Sequence, residues 1–383
     1  MTELMNGLTA PLNRRSFVKK GLMAAGAATM GAGLLTPSIF ARDSSRERSR
    51  HLTRNGSLSS GDAALLRFVA AAEILEADFW IQYNELAGIQ DSEVPGGSGN
   101  PQYTAKLAAL DDDFPQYIHD NTDDEITHFQ FLNAYLSSRG AEPVDLEQFR
   151  TLQGSTATGS SGSLRLTNLM QLTLDTSWYT RYRSDKHNPD LDGFRFKQAI
   201  PGLHNGQFPA IPRTDADLTP DAHLQAIVST AAFHMPTIEQ GGNSLYPSLA
   251  QRASDVEVLR ILISIGPTET MHFQTWSDIA GDASSDPIAP FTDPTNGLFF
   301  PNLNAPPLGG DQFSTNLIMP EPCPFIDPSL PKCSVIRPTE TNGAAMGALT
   351  FLTAMGLFRG QSDAFFQFMT ELATEADAAQ RDR

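Results

Sequence analysis

Cysteine is nearly missing from this chain: Cys323 and Cys333 are the two such residues in 383. That excludes a scaffold built from several disulfides and leaves one intramolecular bridge at most. Basic residues are also few, 27 Lys and Arg against 44 Asp and Glu, giving a formal net charge of −17. Nucleic acid and anionic membranes carry the same sign, so neither is expected as a partner. Downstream of the N-terminal segment there is no run of about 20 unbroken apolar residues, so no membrane span is expected in the mature chain. Gly-x-Ser-x-Gly, phosphate-loop and dinucleotide fingerprints are missing too, which leaves no sequence case for the chemistries they serve. What is present is 40% hydrophobic and 9% aromatic residues, enough to build a packed core.

The N-terminus carries an address. Arg14-Arg15-Ser16-Phe17-Val18-Lys19 is a twin-arginine pattern, followed by a weakly apolar Ala/Gly run from Gly21 to Leu35 and by Pro37. Residues 1–41 read as a twin-arginine export signal. Cleavage is expected after Ala41, although Ile39 departs from the small-residue rule. The mature chain is then periplasmic or extracellular, unless the signal stays as an anchor. This route carries folded proteins, often with a cofactor already inserted. In an exported chain Cys323 and Cys333 suit one disulfide closing a short loop, with free thiols and a soft metal site as open alternatives.

Residues 42–60 are Ser/Arg-rich and read as a linker. The periodicity predicts an all-α chain, with helices over 61–88, 102–139 (divided by Pro115, the firm part 116–138), 220–252 and 254–279. A helix over Leu164–Tyr182 also fits the pattern. Residues 141–219 form a long insertion between the second and third helices, of the kind that makes a lid or contact surface. Residues 283–338 hold 12 of the 26 prolines, so this stretch is expected to be extended. The chain ends at about 343–380 in one or two further helices.

Two short motifs stand out: Glu125-Ile126-Thr127-His128-Phe129-Gln130 and Glu269-Thr270-Met271-His272-Phe273-Gln274. Residues three apart share a helix face, so each Glu and His can reach one metal ion. One Glu-x-x-His is ordinary among eight histidines; the shared Phe-Gln extension is not. The preceding helices repeat as well. Glu76 has Tyr83 seven residues on, and Glu239 has Tyr246 seven residues on, about two helical turns in each case. A helix pair is therefore repeated, which predicts a pseudo-twofold four-helix bundle with Glu76, Glu125, His128, Glu239, Glu269 and His272 facing inward. Glu73 lies one turn before Glu76 on nearly the same face and competes for its place. Pro236, Gly241-Gly242 and Gly266-Pro267 sit beside these residues and predict either local kinks or shorter helices. Tyr83 and Tyr246 read equally as redox-active neighbours and as packing residues.

With these motifs the chain resembles the ferritin-like superfamily, and in particular its exported, desiccation-related branch. Glu73-Ile74-Leu75-Glu76-Ala77-Asp78-Phe79-Trp80 is similar to that branch's Leu-Glu-x-x-Glu-Ala-x-Phe-Tyr segment. The resemblance covers about 62–280, so the expected organisation is a ferritin-like bundle over 61–282 with a Pro-rich extension over 283–383. It implies two divalent metal ions, iron foremost and manganese next, held by Glu76, Glu125, His128, Glu239, Glu269 and His272, with Glu73 as alternative to Glu76. Glu125 and Glu239 are candidate bridges, the choice of bridge being left open.

The function implied is redox chemistry on dioxygen or peroxide by a di-iron or dimanganese oxidoreductase, of ferroxidase, peroxidase or catalase type. The rival from another class is a stress- or desiccation-related binding protein whose metal site serves only the fold. A homo-oligomer is compatible with either reading. Storage of iron in a cage fits least, because the insertion and tail add bulk to a close-packed shell.

Overall fold

A 28-residue helix, α1 (Ser60–Ala87), opens the described chain, and its composition makes it central. Leu65, Phe68, Leu75, Phe79, Trp80 and Leu86 point to different sides and are all buried, the mark of a helix surrounded by others. Ser59 caps it, its hydroxyl accepting the Asp62 N–H at 3.0 Å. The computed structural model describes residues 56–183, 194–305, 319–321, 329, 331, 333–335 and 342–381. Ser57–Arg383 form one compact unit. The export signal, Cys323 and the Cys333 side chain lie outside the described residues, so the disulfide expectation does too.

After α1 come the short α2 (Pro101–Ala108) and the long α3 (Phe114–Ser138). Pro115 sits in the first turn of α3, where a missing N–H does no harm. Among the described residues the insertion holds two short α-helices, α4 (Ser177–Arg181) and α5 (Pro201–His204), and two 3-10 turns, Glu147–Phe149 and Asp215–Leu218. Two long helices follow, α6 (Asp221–Ala250) and α7 (Val256–Ala283). Two small antiparallel pairs come next: β1 (Phe291–Thr292) with β2 (Phe299–Phe300), and β3 (Met319–Glu321) with β4 (Cys333–Val335). The chain closes with α8 (Ala344–Met355) and α9 (Asp363–Ala378).

The bundle is made of two pairs, α1 with α3 and α6 with α7, the most extensively packed pairs of the molecule. Side chains tie one pair to the other. Tyr83 and Glu73 of α1 bond to His234 and Tyr246 of α6, and Asn121 of α3 accepts from the Trp276 indole of α7. Trp80 and Trp276 stack with centroids 5.0 Å apart in the same interior. α9 packs on α1, and α8 packs on α9 and α6.

Pro236 and Pro247 in α6 and Pro267 in α7 do not shorten these helices; both run through. The glycines beside them serve close approach. A Cβ on Gly266 would stand 2.7 Å from the Cβ of Tyr246, so a side chain there would force α6 and α7 apart.

The helix expected over Leu164–Tyr182 is confined to its end. Asp78, buried on α1, explains why. Its carboxylate accepts the backbone N–H of Leu166 and of Thr167 and the Thr167 hydroxyl, at 3.0, 2.9 and 2.6 Å, and is paired with Arg150. Those N–H groups are thereby taken from any helix. Leu152 and Leu172 pair instead with Arg165 and Phe208 in isolated bridges. The insertion is no loose flap: Leu166, Leu169, Leu172, Leu174 and Trp178 are core residues, and Arg165 is paired with Glu85 in the interior. Among the described residues no helix is long and apolar enough to cross a membrane.

Candidate metal centre

Each long helix of the bundle delivers acidic groups to its axis. α1 carries Glu73 and Glu76, α3 Glu125 and His128, α6 Glu239, and α7 Glu269 and His272. The i, i+3 spacing places Glu125 against His128 and Glu269 near His272 on single helix faces. Glu73, Glu125, Glu239 and Glu269 are each within 1% of complete burial, a rare state for carboxyls that lack compensating charge.

Seen closely, the residues form two groups. Glu73, Glu125, His128 and Glu269 offer ligand atoms that all lie within 4.8 Å of one another, and so do Glu125, Glu239, Glu269 and His272. Glu125 and Glu269 belong to both. The imidazoles point their Nδ1 inward. His128 Nδ1 lies 3.0 Å from Glu125, 3.2 Å from Glu73 and 3.7 Å from Glu269. His272 Nδ1 lies 3.2 Å from Glu125, 3.3 Å from Glu239 and 4.0 Å from Glu269. The two Glu-x-x-His pairs of the repeat thus meet in space, and the carboxylates common to both groups are Glu125 and Glu269, with Glu239 in one group alone.

Glu76 stands outside both groups. Glu73, its alternative, is in one of them, and Tyr246 of α6 reaches across to donate its hydroxyl to Glu73 Oε1; Glu76 remains close enough to feel the charges of Glu125, Glu239 and Glu73. Tyr83, the repeat mate of Tyr246, turns elsewhere: its hydroxyl is 2.9 Å from His234 Nδ1. The sequence reading paired each Tyr with the Glu seven residues before it; the structure joins only Tyr246 to the cluster, and to the carboxylate of another helix.

Several supporting residues escaped the sequence reading. Asn121, one turn before Glu125, donates to its Oε1 at 2.9 Å and is itself fixed by the Trp276 indole. Asp124 accepts from His272 Nε2 at 3.0 Å, which orients that ring and leaves Nδ1 for a cation. The i−4 spacing of Asn121 is visible in sequence; the Asp124 contact crosses from α3 to α7 and is not.

The electrostatics are those of a site built for positive charge. Burial pushes Glu73 up to about 8, with the neighbouring Glu125 adding to the rise. Burial and Glu125 drive Glu269 well above the usual carboxyl range, and burial raises Glu239 and Glu76. Burial acts the same way on Glu125, but hydrogen bonds from His128 and His272 outweigh it and hold its carboxyl low. Burial opposes the charge on His128, yet Glu125 and Glu73 raise it to about 10. With protein groups alone, the cluster must therefore hold protons on several of its members. Both carboxylate oxygens of Glu239 and both of Glu269 are buried and make no hydrogen bond. Four such acceptors facing one space fit divalent cations, which suit carboxylate and imidazole donors.

A family comparison decides what kind of bundle this is. The ferritin-like domain family matches residues 61–282. The chain belongs to that family. The matched range takes in the four bundle helices, short of one residue at either end, and both residue groups of the centre. No curated protein and no solved structure matches the chain. In this ferritin-like protein the clustered carboxylates and imidazoles can hold metal ions. Gly242 of α6 allows the cluster to close: a Cβ there would stand 2.8 Å from Glu269 Oε2.

Proposed function

We propose that this ferritin-like protein is an exported dimetal oxidoreductase acting on dioxygen or peroxide. The observation that carries the reading is the pair of four-residue groups that share Glu125 and Glu269. Glu73 and His128 would hold one ion and Glu239 and His272 the other, each together with Glu125 and Glu269. Four carboxylates and two neutral imidazoles balance two divalent cations and leave coordination positions for a small oxidant. Iron is the first choice and manganese the second, since both accept mixed carboxylate and imidazole donors.

Bound there, such ions supply reversible electron transfer at two adjacent centres. The chain supplies the rest. Asn121 and Asp124 hold Glu125 and His272 in place. Tyr246 donates its hydroxyl to Glu73 Oε1 and so holds a proton at that carboxylate. Phe79, Trp80, Phe273 and Trp276, almost fully buried on the bundle helices, make the interior of the bundle largely apolar. Export rests on Arg14-Arg15 and the run that follows. The twin-arginine route suits a protein whose centre must be loaded before it crosses, and it places the mature chain in the periplasm or beyond.

A second reading keeps the ions but makes them structural, in a stress- or desiccation-related protein. It is favoured by the draw of the cluster on all four bundle helices, which an ion pair would lock together. Turnover separates the readings. Iron-loaded protein is mixed with dioxygen and manganese-loaded protein with peroxide, and an oxygen electrode follows dioxygen uptake in the first arm and dioxygen evolution in the second. Turnover in either arm that Glu269→Ala abolishes supports the oxidoreductase; a lower melting temperature of Glu269→Ala with no turnover by the wild type in either arm supports the structural role.

A further inference from the structure

A cavity of about 510 Å³ opens beside the cluster; Glu73, Gly242 and Tyr246 of the centre are among its lining residues, and the rest of its wall has no part in the metal reading. Its walls are mostly apolar. Phe68, Leu75 and Phe79 of α1 and Leu245 of α6 form the floor with Glu76, and Leu349 and Leu352 of α8 face them. Phe68 to Phe79 spans eleven residues, about 16 Å of helix at 1.5 Å per residue, so the space runs along α1 as a long slot.

Three observations show that the slot is kept open. First, Gly241 lies inside α6 and lines it, with no atom within 4 Å of where a Cβ would stand. Glycine weakens a helix interior, and here no steric contact demands it. The neighbouring Gly242 has Glu269 against it; Gly241 has only the open space. Second, Ala72 and Glu76 remain partly accessible although α1 is the central helix, because both border the cavity. Third, α8 is apolar around its circumference, yet Ala348, Phe351 and Leu352 are only half-buried where they line the slot. This roof lies outside residues 61–282, so it is an addition to the ferritin-like domain.

Three carboxyls also line the walls, Glu73, Glu76 and Asp175, the last close enough to Arg181 to feel its charge. Arg181 is the one cation among the described lining residues. Its Nη2 donates to Gln240 Oε1 at 2.9 Å, and its Nε is buried without a partner. Mostly apolar walls with a few converging polar groups describe a small-molecule site. We propose that the slot binds a long-chain apolar molecule with one polar end, of the fatty-acid or long-chain alcohol type, with its polar end at Arg181 and Gln240. The chain would lie along α1 past Glu76, beside the residues that hold the ions. Binding is assigned to the apolar walls and to Arg181 and Gln240, none of which holds an ion, so it is tested apart from the metal reading.

The test uses full-length mature protein purified with its metal. A polyene fatty acid whose absorption overlaps tryptophan emission is titrated in, Trp178 being part of the wall. Palmitate and hexadecanol compete in separate arms, which tells an anionic end from a neutral one. Gly241→Leu fills the slot from α6 and Ala348→Phe fills it from α8. The expected result is saturable binding of one probe per chain, displaced by one or both competitors. At least one filling variant with an unchanged or raised melting temperature should weaken it tenfold or more. Wild-type protein that shows no saturable binding overturns the inference, as do folded filling variants that bind as wild type does. Metal content is measured on the same samples. Full metal without chain binding refutes this inference alone; chain binding without metal refutes only the metal reading.

Discussion

Gly242 and Glu269 touch: a Cβ on the glycine would stand 2.8 Å from Glu269 Oε2. The residue beside it, Gly241, meets nothing within 4 Å. Two adjacent glycines thus have different reasons to exist. Gly242→Ala should displace a shared carboxylate and lower metal affinity by about 10–100-fold, the usual effect of disturbing a ligand's surroundings. Gly241→Ala should leave affinity unchanged and raise stability by about 0.5–1 kcal/mol, the helix preference of alanine over glycine. Metal titration and thermal unfolding of the two variants check the pair. Equal effects would show that Gly242 is not placed for Glu269.

The choice between Glu73 and Glu76 is open to direct measurement. Glu73→Gln should reduce bound metal from two ions per chain toward one, while Glu76→Gln should retain both. Elemental analysis of the two purified variants reads the answer. Loss of an ion from Glu76→Gln with none from Glu73→Gln would reverse the assignment.

The tyrosines should behave differently although the sequence presents them as a matched pair. Tyr246→Phe removes the donor to Glu73 Oε1 and should weaken metal binding. Tyr83→Phe removes a bond to His234, remote from the ligands, and should cost about 1 kcal/mol of stability without altering affinity. Parallel metal titrations and denaturant melts distinguish them.

Protons should leave when metal arrives. Glu73 is raised from 4.5 to about 8 and His128 from 6.5 to about 10, so at neutral pH both carry protons in the absence of metal. Ligands bind deprotonated, so loading near neutral pH should release protons, and affinity should climb with pH. The sign for stability follows. A group whose folded pKa is raised stabilises the fold below its unfolded pKa and loses that contribution as pH rises through the folded value. Chelated protein should therefore lose stability from pH 4.5 to about 8 through Glu73, and from 6.5 to about 10 through His128. Metal-loaded protein should lose less over the same range. Calorimetry in buffers of different ionisation enthalpy counts the protons, and melts across that range test the slope.

How much of this was legible in the sequence depends on how local each interaction is. Four long helices follow from apolar periodicity, and both Glu-x-x-His pairs follow from i, i+3 spacing on a single helix. The place of Glu73 does not, because Glu73 and Glu76 share nearly one face and the hydroxyl that singles out Glu73 comes from Tyr246, 173 residues away. The same limit hid Asp124, which meets His272 across 148 residues. The helix expected over Leu164–Tyr182 gave way to Asp78, another distant group, which takes backbone N–H groups that a helix needs. Glycines 241, 242 and 266 look like weak points in sequence; only the packed helices show two of them as close contacts and one as the edge of a cavity.

The most direct test of the central claim is the metal content of the full-length protein, purified after its own export and shown by circular dichroism to be folded. Two ions of iron or manganese per chain are predicted. A folded chain that carries none, and takes up none on reconstitution, would contradict the dimetal centre at Glu125 and Glu269.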